Sequence, residues 1–282
     1  MTRMVGLMGA ALPKDPLPPS SDNEEGFWES ATLVGIHDQL LEAVDSVWFD
    51  PLPLSLRSIP PDLLSDWKER ISSALVQVYG QADCFVVKDP RLCRLVPLYR
   101  EILTSMDIDV RVVLVSRPPS EVAASLLSRD QISANLAGVL WARHMRDAER
   151  ETRNLPRVMV TYSELMRDWR PAAARLCLAC PGLSAADESG IDAAFRPDLR
   201  HHRRGVPPGS DADLFAHLDR LEKALGLLRQ RNGAQEWREI DAIGSQIDGW
   251  TSTHADALAD EYFCRRKLPA PMDWGRDELL AS

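Results

Sequence analysis

The chain has 282 residues, 45% of them hydrophobic, and a formal net charge of −9. That is enough apolar material for one large α/β domain with an appendage, or for two modest domains. The acidic balance excludes general nucleic-acid binding, and no apolar run approaches the roughly 20 residues of a membrane span.

The start, "MTRMVGLMGAALPKD", carries no signal-peptide pattern, so a cytoplasmic location is expected. Five cysteines, sparsely spread, suit reduced thiols. Cys177 and Cys180 form a C-x-x-C, but with no second pair and no nearby histidine they read as part of a helix rather than a metal site. No metal is expected. Of the 33 basic residues only five are lysine. A GC-rich coding sequence accounts for most of that bias, and position must pick out any arginine that forks a phosphate or sulfate.

In chain order, residues 1–9 read as the end of a helix, followed by a loop rich in Pro, Ser and Asp. "FWESATLVGIHDQLLEAV" and "PPDLLSDWKERISSALVQVY" are amphipathic helices by the spacing of Leu33, Ile36 and Leu40 and of Leu64, Trp67, Ile71 and Leu75. Three β-branched runs then follow: "CFVVK" (84–88), "VRVVLVSR" (110–117) and "RVMVTY" (157–162). Their near-continuous hydrophobicity predicts strands buried on both faces of a parallel sheet. The segments between them, "LVPLYREILTSM", "SEVAASLLSR" and "SANLAGVLWARHMRDAERET", have helical spacing. Strand and helix alternate as in a doubly wound α/β domain, whose ligands bind beyond the carboxyl ends of the strands. A basic connector (195–211) leads to a helical C-terminal tail, where Leu214, Leu218, Leu221, Leu225 and Leu228 form a stripe. The predicted organisation is an α/β domain over 1–205 and a helical extension over 206–282, packed on that domain or forming a homodimer.

Lys88, Arg117 and Tyr162 each stand at the carboxyl end of a predicted strand. Ser125 lies eight positions after Arg117, about two turns into a helix that "PP" would start. A phosphate lying over that turn would meet a planar guanidinium fork on one side and a hydroxyl on the other.

With these residues in view, the chain resembles the sulfotransferases that use 3′-phosphoadenosine 5′-phosphosulfate, especially the bacterial members. The pair Arg117 and Ser125 is similar to that family's 3′-phosphate site. "VVKDPR" looks like its "KDP" segment, which would make Lys88 the stabiliser of the transferring sulfuryl group. "VTYSEL" resembles the segment that sets a tyrosine near the adenine, here Tyr162. "DNEEGFWES" resembles the acceptor-side segment, and "RRG" at Arg203, Arg204 and Gly205 the late loop that closes on the 3′-phosphate. The resemblance implies a three-layer parallel sheet of the P-loop-NTPase-like kind, flanked by helices. It also implies sulfuryl transfer to a hydroxyl or amine on a saccharide, lipid, peptide or small molecule.

The chain departs from that family in lacking the first strand and its glycine-bearing loop, of the form R-S-G-T-S, which cradles the 5′-phosphosulfate. A start set downstream of the natural one, or a divergent relative, are the two accounts; the intact downstream motifs favour the first. A missing inner strand would leave unpaired N–H and C=O groups on its neighbours.

On this reading Glu29 is the preferred base for the acceptor proton, because two preceding aromatics desolvate it, and Glu24 is the second choice. Carboxylates at a helix start also occur for capping and dipole reasons alone, which applies to Glu24, Glu25 and Glu29. Asp89 is expected to orient Lys88 or Arg91. His37 reads as packing or surface, His201 and His202 as connector, and Trp28 and Trp48 as core or acceptor wall. The alternative function is a non-catalytic relative that binds adenosine 3′,5′-bisphosphate or a protein partner. A nucleotide kinase is disfavoured, since no G-x-x-x-x-G-K-[ST] occurs.

Overall fold

The structure, a computed structural model, describes residues 1–20, 26–54, 56, 59–195 and 205–267. It is α/β and mostly helical, with a small two-stranded parallel sheet among the described residues. The helices are α1 (Thr2–Leu7), α2 (Ala31–Ala43), α3 (Pro61–Tyr79), α4 (Leu92–Ser105), α5 (Pro119–Asp130) and α6 (Ala134–Glu151). After them come α7 (Tyr162–Arg167), α8 (Arg170–Ala179), α9 (Glu188–Ala194), α10 (Ala212–Leu227), α11 (Ala234–Thr253) and α12 (Ala255–Lys267). The strands are β1 (Val112–Ser116) and β2 (Arg157–Thr161), in register from Val112↔Arg157 to Ser116↔Thr161.

Local chemistry sets several of these boundaries. Proline opens α3 and α5, where a missing N–H costs nothing. Ser30, Ser133 and Asp211 accept hydrogen bonds from backbone N–H groups three residues on and cap α2, α6 and α10. Thr161 does the same for Glu164, so the third apolar run stops one residue earlier than its hydrophobicity predicts. Tyr162 is therefore the first residue of α7 rather than the last of a strand.

The expected three-stranded core is the main correction. Among the described residues segment 84–88 makes only an isolated parallel bridge, Ala11↔Phe85, with Ala11 N–H donating to Cys84 O at 2.9 Å and Val86 N–H to Ala11 O at 3.1 Å. It does not pair with β1. Val112 N–H donates to Pro156 O, so alternation along a parallel ladder turns the amides of Val113 and Val115 to the opposite edge of β1. That edge pairs with no strand among the described residues. Val115, in a run that reads as fully buried, is 39% exposed there.

The apolar runs nevertheless have two buried faces. Cys84, Val86, Val113, Val158 and Val160 pack on a core with α1 and α8. Phe85 and Val87 face a second core shared by α2, α3 and α4. Val112, Leu114 and Met159 face a third, built on α6. The leucine stripe of α10 is buried in that third core, together with Ile240, Ile243 and Ile247 of α11, so the C-terminal helices complete the main body. At Gly138 of α6 an added Cβ would lie 2.7 Å from Leu218 Cδ1, which explains why no side chain stands there. No helix among the described residues is long and apolar enough to cross a membrane.

Candidate functional site

The turn after segment 84–88 is built from both sides. Tyr79 stacks on Phe85, with centroids 4.6 Å apart, and its hydroxyl donates to Val86 O at 3.0 Å. Facing it, the strip before α2 is pinned by the bridge Pro16↔Ser30 and by Leu17 N–H donating to Glu29 O at 2.8 Å. Asp15 Oδ2 accepts from Ser30 Oγ and from Thr32 N–H, each at 2.9 Å. Within this strip Gly26 and Trp28 have φ of 85° and 59°. The second is an unusual conformation for a bulky residue and turns the chain so that Glu29 points inward.

Lys88 Nζ and Glu29 Oε1 are in direct contact as an ion pair. The Glu29 side chain is 5% exposed and that of Lys88 36%. Burial raises the Glu29 carboxyl above its usual pKa, with Lys88 opposing the shift and Asp89 adding to it. A buried carboxylate with a raised pKa beside an ammonium is suited to accept a proton from a hydroxyl while the cation faces developing negative charge.

Beneath this pair lies a buried polar network. Asp89 Oδ2 is 2.7 Å from His37 Nδ1, and His37 Nε2 is 2.8 Å from the Tyr99 hydroxyl. Asp89 Oδ1 accepts from Arg91 N–H at 2.8 Å and from Arg91 Nη1 at 3.0 Å, while Arg91 forks onto Asp38 at 2.7 and 3.0 Å. Although burial opposes it, hydrogen bonding to His37 and the neighbouring charges hold the Asp89 carboxyl well below the usual range. Asp89 thus binds Arg91, as expected, and His37 is fully buried rather than on the surface.

The second half of the site sits at the carboxyl end of β1 and β2. Arg117 follows β1 and Tyr162 follows β2, and the paired ends Ser116↔Thr161 bring them together. The guanidinium lies over the tyrosine ring, 4.8 Å from its centroid. Arg117 Nε donates to Glu121 Oε2 at 3.2 Å, and Trp141 Nε1–H donates to Arg117 O at 3.0 Å. Glu121 is fully buried, so part of the arginine's charge is already matched. Ser125 lies half-buried on α5, one turn beyond Glu121.

The structure therefore brings the predicted residues together as two pairs, Lys88 with Glu29 and Arg117 with Tyr162. Among the described residues no hydrogen bond or ion pair joins one pair to the other. Glu24, Arg203 and Arg204 lie outside the described residues, as do Glu25, His201 and His202. Gly205 is exposed on the connector to α10. Trp48 packs edge-on against Phe49 beside the core. Cys177 and Cys180 fall in and at the end of α8 with free, half-buried thiols. Among the described residues no group of three His, Cys, Asp or Glu could hold a metal ion.

Two recesses lie elsewhere on the surface. One, of about 260 Å³, is lined by Arg94, Pro97, Asp147 and Arg150. The other, of about 450 Å³, is lined by Gly9–Ala11, Ala82–Cys84 and Pro181–Gly182. Neither is lined by Lys88, Glu29, Arg117, Ser125 or Tyr162.

Sequence reasoning missed two members of this region. Glu121 had a local signal, since an acid four residues after an arginine at a helix start is a natural partner. His37 had none, because it meets Asp89 across 52 positions. No family model, curated protein or solved structure matches the chain.

Proposed function

We propose that the chain transfers a sulfuryl group from 3′-phosphoadenosine 5′-phosphosulfate to a hydroxyl or amine acceptor, on a sulfotransferase-like fold of the P-loop-NTPase type. The observation that carries this reading is the contact between Lys88 and Glu29, side chains from segments 59 positions apart. It supplies a cation and a desolvated carboxylate to the same point, as in-line transfer from a phosphate oxygen to the acceptor's oxygen or nitrogen requires. In the proposed step the bond from sulfur to the phosphate bridging oxygen breaks as the bond from sulfur to the acceptor forms. Glu29 takes the acceptor proton, Lys88 faces the charge spreading over the sulfuryl and bridging oxygens, and adenosine 3′,5′-bisphosphate leaves.

Arg117 and Ser125 would hold the 3′-phosphate and Tyr162 would stand near the adenine. The stack of Arg117 on Tyr162 supports this, because it pre-sets the guanidinium fork at the carboxyl ends of β1 and β2, where ligands of open α/β sheets bind.

A second reading, a non-catalytic binder of adenosine 3′,5′-bisphosphate or of a protein partner, draws on the outer edge of β1, which pairs with no strand among the described residues. Two measurements separate the readings. Calorimetry with adenosine 3′,5′-bisphosphate is expected to show binding, and release of this nucleotide from the phosphosulfate donor, with a panel of hydroxyl and amine acceptors, is expected to show turnover. Binding without turnover selects the nucleotide-binding form of the second reading, and neither one leaves only its protein-partner form.

A further inference from the structure

We propose that His37 is a positioning residue that holds Lys88 and Glu29 together. The proposal rests on the reading of that pair as the reacting site, and it names the part of the fold that sets its geometry. Lys88 and Glu29 come from separate segments, one ending an extended run and the other preceding α2, so some contact must fix the distance between the two backbones.

His37 is placed to do this. It sits on α2, two turns beyond Glu29, and its Nδ1 reaches Asp89, the residue directly after Lys88, at 2.7 Å. Its other nitrogen is held by the Tyr99 hydroxyl at 2.8 Å, and the two rings meet edge to face at 5.5 Å between centroids. Both nitrogens are thus used, and the ring has no freedom to turn away. Arg91 holds the second oxygen of Asp89, which removes the remaining freedom of that carboxylate. The His37–Asp89 bond is therefore a fully buried link between the element that presents Glu29 and the turn that presents Lys88. A residue needed only to fill this space would be apolar. A buried imidazole with partners on both nitrogens specifies orientation, and removing it leaves two buried polar partners unsatisfied.

The experiment is zero-length carbodiimide coupling on the full chain, which activates the Glu29 carboxylate, joins it to the Lys88 amine as an amide and leaves the carbodiimide hydrated as a urea. Mass spectrometry then counts the joined peptides, and transfer from the phosphosulfate donor is followed in parallel. The parent and His37→Gln, which keeps a donor and an acceptor, are expected to form the Glu29–Lys88 link. His37→Leu should form it at least fivefold less well. Its turnover should fall about as much, with affinity for adenosine 3′,5′-bisphosphate within twofold of the parent.

If His37→Leu does not fold, Tyr99→Phe, which removes one oxygen, decides: its coupling should fall severalfold. Undiminished coupling in the folded variant, or no coupling in the parent, overturns the inference. A parent that couples but transfers nothing to any acceptor overturns the reading of the reaction and leaves the role of His37 standing.

Discussion

The Arg117 guanidinium lies 4.8 Å from the centre of the Tyr162 ring, across the paired ends of two parallel strands. Among the described residues no hydrogen bond or ion pair joins it to the Lys88–Glu29 pair, so under the proposed function the two halves should have separable jobs. Arg117→Ala should weaken binding of adenosine 3′,5′-bisphosphate about tenfold or more, the loss of one charge-assisted interaction. Lys88→Ala should leave that affinity within a fewfold and lower turnover about a hundredfold, as removal of a transition-state donor does. Calorimetry and steady-state kinetics on both variants check the split, and small, equal effects would remove the assignment.

Under the proposed function, Glu29 should tie activity and stability to pH in opposite directions. Burial raises its carboxyl above the ordinary value of 4.5. An acid with a raised folded-state value stabilises the fold below the unfolded value, and that contribution is lost as pH climbs through the folded value. Glu29→Gln is uncharged throughout, so its melting temperature should gain on the parent's between pH 4.5 and a pH above the raised folded-state value. Turnover of the parent should rise over the same interval as the base ionises, and the variant should show no such rise. Parallel melting curves at both pH values would contradict the shift.

The helical framework, and the nearness of Arg117 to Tyr162 at the ends of neighbouring runs, could be read from the lettering. The leucine spacing of α10 and the proline openings of α3 and α5 are local signals, and each fell where the spacing put it. The sheet was less legible. Segment 84–88 reads as a β-branched run like β1, yet among the described residues it bridges only to Ala11, because hydrophobicity encodes burial and not which edge a strand meets. The end of β2 at Thr161 was legible in principle, since T-x-x-E is a capping signature that outweighs the apolar character of Tyr162. The contacts of Lys88 with Glu29 and of His37 with Asp89 and Tyr99 join residues more than 50 positions apart, and no spacing rule reaches that far.

Away from the site, Glu149 is a buried charge shared by two arginines. It is fully buried and accepts from Arg153 at 2.7 Å and from Arg157 at 3.1 Å, whose side chain is itself only 2% exposed. Glu149→Ala leaves that second guanidinium buried without its carboxylate, which should cost about 3–5 kcal/mol. Urea denaturation measures this, and a cost below about 1 kcal/mol would mean that water reaches Arg157.

Gly138 tests the docking of the C-terminal helices. Leu218 is fully buried and its Cδ1 stands 2.7 Å from where a Cβ would be. Gly138→Val should therefore destabilise by about 1–3 kcal/mol through overpacking, with hydrogen exchange rising first in α10. Unchanged protection there would show that α10 can shift to make room.

The outer edge of β1 bears on how the molecule behaves in bulk. A strand edge that pairs with no strand among the described residues, beside a valine 39% exposed, is a template onto which another chain can zip. Losses to precipitation should therefore climb steeply with protein concentration. Val115→Lys, a charge set where strands would otherwise dock, should act as a gatekeeper and keep the material clear.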